Sequence, residues 1–315
     1  MKRIDSIDIA KGILIILVVV AHVFQSGYVH DLIYSFHMPA FFIISGMLLR
    51  YKNTTQKPMC DLLKSRLRSI AVPFCFFEIY GCVTNILRFG FAQNIKGYIY
   101  NTLTCHFNNG VNWFLFSLFW SEIIFLICAK ACRNRYWLLL AISSLLFVVG
   151  LYTPSTNSML YSFRQAITCC LLLCIGYLSM RFLLDPSVFL ALICSLIVVA
   201  YPFVFSATNM SGMEFANPLS FLLGSMCGTY LLMFIGKNIK SKYLTLIGKN
   251  TIVIFGTHNF FYIVFGHALG IADFHYSPLL TGIMVCILVL LVEIPIVFMI
   301  NRYFPFLVGR KNHPE

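Results

Sequence analysis

The chain has 315 residues, 59% apolar and only 11% charged, with a formal net charge of +12. Soluble domains carry about 25% charged residues. This composition, with a mean hydropathy of +0.84, therefore excludes an ordinary soluble fold and indicates a polytopic membrane protein whose basic charge belongs to one membrane face and does not signal nucleic-acid binding.

The first apolar run, Ile9 to Phe24, carries Lys11 and His22. No small-residue cleavage site follows it, so it reads as a retained span. Ionisable groups inside such a run are costly and mark function by default. Lys11 and His22 are separated by almost three helical turns, so they share a face roughly 16 Å apart, and Asp8 joins the stripe one turn earlier. His22 then sits in the outer half of a core about 30 Å thick. Asp8 and Lys11 at the cytoplasmic edge with an imidazole deeper in the span suggest a reaction path. The plainer readings are a snorkelling Lys11, a helix-terminal charge at Asp8 and an interhelical hydrogen bond at His22.

Further apolar segments predict spans at about 35–50, 69–89, 112–130, 136–152, 165–182, 187–206, 218–236, 250–267 and 278–300, after a first span at 9–27. The expected fold is all-α: a polytopic membrane bundle of about ten transmembrane helices forming a single integral-membrane domain over 1–315. The second span opens on His37 after a short turn. The first two helices are therefore neighbours, and His37 either lines an outer mouth or sits at headgroup level. Residues 51–68 read as a basic cytoplasmic loop whose second half has helical character and carries Lys64, Arg66 and Arg68. These cations suit an anionic ligand or simply obey the positive-inside rule. Residues 90–111 and 207–217 read as outward loops. Trp113, just after the first of these, is an interfacial belt residue or a sugar-stacking one. Glu78 and Glu122 fall mid-span with no role legible. His258 falls mid-span in the ninth helix, where it needs a partner. Glu293, before Pro295, is placed to balance Lys11 or a basic site.

Lysines and arginines set the orientation. Nineteen of the 23 fall at alternate connections that include both chain ends; only Arg88, Lys96 and Arg164 fall on the opposite side, and Lys11 is inside the first span. Both termini are thus expected in the cytoplasm. Of the twelve cysteines, only Cys105 lies in an outward loop. No disulfide framework follows, and no Cys/His spacing matches a metal site.

Several stretches are similar to membrane acyltransferase family 3. They are Ile4 to Gly12 leading to His22; Ser35-Phe36-His37-Met38-Pro39-Ala40-Phe41-Phe42-Ile43-Ile44-Ser45-Gly46; Lys64-Ser65-Arg66-Leu67-Arg68 with Val72-Pro73-Phe74; Asn112-Trp113-Phe114-Leu115; Gly248-Lys249-Asn250 to His258; and Asn301-Arg302-Tyr303-Phe304-Pro305. The second stretch resembles the fucose 4-O-acetylase-like branch. Many family members begin with Arg-x10-His. Here the pattern is Lys11-x10-His22, which keeps the cation but loses the bidentate fork.

The resemblance implies a multi-pass O-acyltransferase of the plasma (inner) membrane, usually an O-acetyltransferase. It would move an acyl group from cytoplasmic acyl-CoA, typically acetyl-CoA, to a hydroxyl of a sugar or cell-surface glycan, with no metal. A sugar hydroxyl needs a base to attack a thioester, and His22 is placed for that work with Lys11 and Asp8. Lys11, Lys64, Arg66 and Arg68 would hold the cofactor; His37, Trp113 and His258 would face the acceptor. The alternative is a transporter or flippase of a glycan or lipid intermediate. Such a protein should show internal repeats and paired broken helices, and neither is evident. The sequence carries no signal for oligomeric state.

Overall fold

A computed structural model describes residues 4–89, 95–133, 135–205, 208–215, 217–270 and 279–310. Among them the chain is helical and forms no strand. In order the helices are α1 (Asp5–Val23), α2 (Tyr28–Tyr34), α3 (His37–Tyr51), α4 (Met59–Arg66), α5 (Val72–Phe89), α6 (Ile95–Leu103), α7 (Trp113–Ala131) and α8 (Tyr136–Tyr152). There follow α9 (Ser158–Leu178), α10 (Met180–Leu184), α11 (Val188–Val204), α12 (Pro218–Asn238), α13 (Lys242–Lys249), α14 (Thr251–Ala268) and α15 (Leu279–Tyr303).

Among the described residues, seven helical stretches are long and apolar enough to cross a membrane: Asp5–Val23, Tyr28–Tyr51, Met59–Arg88, Gly110–Ala131, Ser158–Leu178, Pro218–Asn238 and Leu279–Tyr303. Helices α8 and α11 are apolar and slightly shorter.

Three connections differ from the sequence reading. The second span begins earlier, as α2, and the chain turns at Ser35 and Phe36 into α3. Pro39 is the third residue of α3, within the first turn, where a missing N–H costs no helical bond. In the basic segment at 51–68 the helical character expected of the second half is α4, which starts earlier, at Met59, and a 3₁₀ turn at Thr54–Gln56 precedes it. A π-turn at Leu67–Ala71 joins α4 to α5, and the Val72 N–H bonds the Leu67 carbonyl. Pro73 follows at once. It cannot donate to the turn before it, and a widened turn accommodates that loss. The outward connection expected at 90–111 contains α6; residues 90–94 of it, and 207 and 216 of the next outward loop, lie outside the described residues. So do Lys2, Arg3 and Lys311 of the charge pattern.

The chain divides into two compact units, Met1–Lys52 with Gly176–Val297, and Asn53–Ile175 with Phe298–Glu315. In the first, α1 is the central element. Leu14, Ile15, Val18 and Val19 are fully buried, as a helix that is apolar on nearly all faces requires. It packs on α3, α12, α13 and α14. The crossing of α1 with α13 is a backbone contact: a Cβ on Gly248 would stand 1.7 Å from the Asp8 carbonyl oxygen, and one on Gly12 would stand 2.3 Å from the Leu244 carbonyl oxygen. Only glycine permits that approach, which is the usual device of helices that associate without a hydrophobic driving force.

In the second unit the connection after α6 is tied to α5 through Glu78. The Asn112 Nδ2 donates to Glu78 Oε1 at 2.7 Å. The Thr102 hydroxyl and the Asn108 backbone N–H donate to Oε2 at 2.9 and 3.0 Å. A buried carboxylate is tolerated when its lone pairs are filled in this way, so Glu78 acts as the anchor of that connection.

Candidate active site

His22 is the penultimate residue of α1 and its side chain is half-buried. The α14 helix supplies what lies against it. The His258 ring lies 5.0 Å from the His22 ring, tilted by 49°, and Tyr262 stacks on His22 at 5.8 Å and 18°. His258 and Tyr262 are one turn apart on α14, hence on one face. His258 is fully buried. Its Nδ1 lies 2.9 Å from the carbonyl oxygens of both Ile254 and Phe255. Carbonyls only accept, so Nδ1 carries the proton and Nε2 presents a lone pair. Nε2 has no hydrogen-bond partner among the described residues. In a buried site such an atom faces a cost of about 1–3 kcal/mol, which a bound hydroxyl or a rotated His22 N–H would relieve.

His37 is fixed in the same way. Its Nδ1 donates to the Ile33 carbonyl at 2.9 Å, and it is buried. The His37 ring lies 4.7 Å from that of Tyr34, which stacks on His30 at 3.9 Å. His30 Nδ1 is 2.8 Å from Asp31 Oδ1. A second run of rings, His30–Tyr34–His37, therefore stands on α2 and α3 in the same unit. Among the described residues His22 makes its ring contacts with α14, and none with His37.

Asp8 and Lys11 form an ion pair at 3.5 Å, with the Lys11 side chain 22% exposed and that of Asp8 6%. The pair sits where α1 crosses α13, so the glycine contact fixes its position. Glu293, expected to balance Lys11 or a basic site, instead faces Thr257, whose hydroxyl is 2.8 Å from both carboxylate oxygens. Thr257 adjoins His258 in sequence, and its contact with Glu293 ties α15 to α14 beside that histidine.

The remaining candidates belong to the second unit. Arg66 Nε lies 2.8 Å from Glu122 Oε2, and both are largely buried. The approach is that of an ion pair; its angle falls outside hydrogen-bond geometry. Arg66 thus has a structural duty that the sequence did not reveal, and it gives Glu122 a role. Lys64 and Arg68 are exposed. Trp113 is half-buried and meets Phe114 edge-on at 6.2 Å. The larger aromatic assembly of this unit lies beyond it: Phe116 with Phe107 at 5.6 Å and Phe163 at 5.4 Å, and Trp120 with Phe163 at 5.2 Å.

A histidine paired with a second, tautomer-fixed histidine and stacked on a tyrosine is suited to proton transfer at a hydroxyl. Residues 4–298 match the acyltransferase domain. The chain belongs to acyltransferase family 3. The match takes in Asp8, Lys11, His22, His37, Lys64, Arg66, Arg68, Trp113 and His258, and makes the protein a membrane acyltransferase. No curated protein and no solved structure matches it. For this family-3 chain, the sequence had missed Tyr262, Thr257 and the His30–Tyr34 pair. Tyr262 had one available signal, its i+4 spacing from His258.

Proposed function

We propose that this acyltransferase moves an acyl group, most simply acetyl, from cytoplasmic acyl-CoA to a hydroxyl of a sugar or cell-surface glycan in the plasma membrane. The observation that carries this reading is the half-buried His22 held between His258 and Tyr262, at the far end of a helix whose other end carries Asp8 and Lys11. His22 takes the proton of the acceptor hydroxyl as that oxygen attacks the thioester carbon; the thiolate of CoA leaves. His258, with Nδ1–H on the backbone and Nε2 open, orients His22 or the acceptor hydroxyl. His37 lines the acceptor's approach. Trp113 and the aromatic rings beyond it offer apolar faces for a sugar. The likeness of Phe36-His37-Met38-Pro39 to the fucose 4-O-acetylase-like branch supports acetyl as the group and a sugar as the acceptor.

Within the second unit, the CoA phosphates are assigned to the exposed Lys64 and Arg68, and Arg66 braces that segment through Glu122. Ten membrane crossings with both termini in the cytoplasm fit the charge pattern.

The deciding experiment compares surface glycans, by mass spectrometry, from cells with and without the protein, alongside transfer from radiolabelled acetyl-CoA in isolated membranes. An acetyl mass on one glycan hydroxyl that depends on the protein is the expected result. Identical glycans together with no consumption of the labelled donor would overturn the proposal.

A further inference from the structure

The chemistry above makes no use of a cavity in the first unit. It lies between α13, α14 and α15 and holds about 220 Å³. Leu246, Ile254, Ile287, Leu290 and Ile294 help to wall it, and Glu293 is the one lining residue with a polar side chain. Glu293 is only 1% exposed and its carboxylate faces the Thr257 hydroxyl, so the open side of the groove offers hydrocarbon. Leu246, Ile287 and Ile294 are each more than half exposed, at 51%, 51% and 56%, so one side is open. In a bilayer an open apolar groove is filled by hydrocarbon chains, because a void there forfeits dispersion contacts.

The α13 wall of the groove is bordered by charge. On a helix of 3.6 residues per turn, Lys242, Leu246 and Lys249 fall on one stripe of α13. Leu246 is in the groove wall, so the two lysines flank it, roughly 5–6 Å along the axis on either side. Both are exposed, and α13 contains no acidic residue. Tyr243, 82% exposed, lies beside them. Cations next to exposed apolar side chains on a short helix are the pattern of an element at the membrane interface, where basic clusters attract anionic headgroups.

We propose that this groove binds an anionic phospholipid of the bilayer. One acyl chain lies against Ile254, Ile287 and Ile294, and the phosphate sits beside Lys242 and Lys249. The occupant has a route to the catalytic helix: Ile254 supplies a carbonyl that fixes His258 Nδ1, so a chain packed on Ile254 braces the turn that orients His258.

The test uses the full-length protein carrying Ile287→Trp, in phosphatidylcholine vesicles containing a minor fraction of chain-brominated phosphatidylglycerol or, in parallel, chain-brominated phosphatidylcholine. Quenching of the added tryptophan, corrected for the native ones with the unsubstituted protein, should be greater with brominated phosphatidylglycerol at equal mole fraction. The excess should vanish in the same protein carrying Lys242→Glu and Lys249→Glu. It should also fall as salt is raised with both lysines intact, since the rim charges are exposed; this arm does not depend on the double variant folding. Equal quenching by the two lipids would reduce the groove to ordinary boundary lipid and overturn the proposal. A phosphatidylglycerol excess that survives both charge reversal and salt would overturn the headgroup site. Neither readout involves acyl transfer, so failure here leaves the assignment of His22 untouched.

Discussion

Replacing His22 by alanine removes the proposed base while leaving a small cavity beside His258 and Tyr262. Loss of a general base costs about 10²–10⁴-fold in rate. The expected outcome is acyl transfer reduced by at least that order in membranes that contain normal amounts of the protein; unchanged transfer at normal expression would remove His22 from the mechanism. Tyr262→Leu is milder. An aromatic pair contributes about 0.5–1.5 kcal/mol beyond burial, and about 1.4 kcal/mol is tenfold in rate. A loss of up to about tenfold is therefore expected, and a loss as large as that of His22→Ala would mean that the tyrosine takes part in the chemistry. The different legibility of these two residues has a physical cause. An imidazole in an apolar run is conspicuous because the bilayer penalises it. A tyrosine in a chain with 16 of them is not; its stacking on His22 is set by how α1 and α14 cross, which no local pattern encodes. His30 and Tyr34 were missed for a related reason. They gain meaning only because the chain before His37 folds back as α2.

At the level of elements, the α1–α13 crossing is the contact most sensitive to a single methyl group. Gly248→Ala places a Cβ 1.7 Å from the Asp8 carbonyl oxygen, and backbone, not a flexible side chain, has to move. Overpacking costs typically 1–3 kcal/mol, so the thermal midpoint in detergent should fall and the Asp8–Lys11 pair should shift with it. An unchanged midpoint would contradict the crossing. The α4–α5 helix separates two kinds of arginine. Arg66→Ala leaves the buried Glu122 carboxylate without its counter-charge, a loss of about 3–5 kcal/mol for a buried pair. Arg68→Ala, on an exposed side chain, should leave stability unchanged and raise KM for acyl-CoA. The reverse pattern, with Arg66→Ala harmless to stability, would dissolve the distinction. From sequence the three basic residues looked equivalent, since positive charge near a span is expected whatever its purpose. The two glutamates were opaque because their partners lie elsewhere in the chain: Glu78 on Asn108 and Asn112, Glu122 on Arg66. Because of its polarity, the segment 51–68 read as a loop with helical character only in its second half. Pro58 at the N-cap of α4 and Asp61 in its first turn were the signals of the helix within.

For the molecule as a whole, the number of crossings decides which side of the membrane each end occupies. Among the described residues seven stretches satisfy both length and apolarity; an odd number would put the two ends on opposite sides. Helices α8 and α11, at 17 residues each, span about 25 Å, which lies at the short end of the accepted range. The α14 helix has 18 residues and carries the polar His258, Asn259 and His267, which lower its apolarity. Counting these three gives ten, an even number, and returns both ends to one side. The lysine and arginine pattern points the same way: the connections rich in them alternate with connections that hold only Arg88, Lys96 and Arg164. The periodic apolar segments made the helices legible. The crossing number was less so, since a helix that carries several polar side chains departs in composition from the membrane norm. Reporter fusions at the two ends, one enzyme active only outside the cytoplasm and one fluorescent only inside it, resolve the matter. Fluorescence at both ends, with labelling of Cys105 by an impermeant thiol reagent from outside, is the expected result. Reporters that place the ends on opposite sides would exclude ten crossings, and at least one of α8, α11 and α14 would then have to lie along the membrane and not through it.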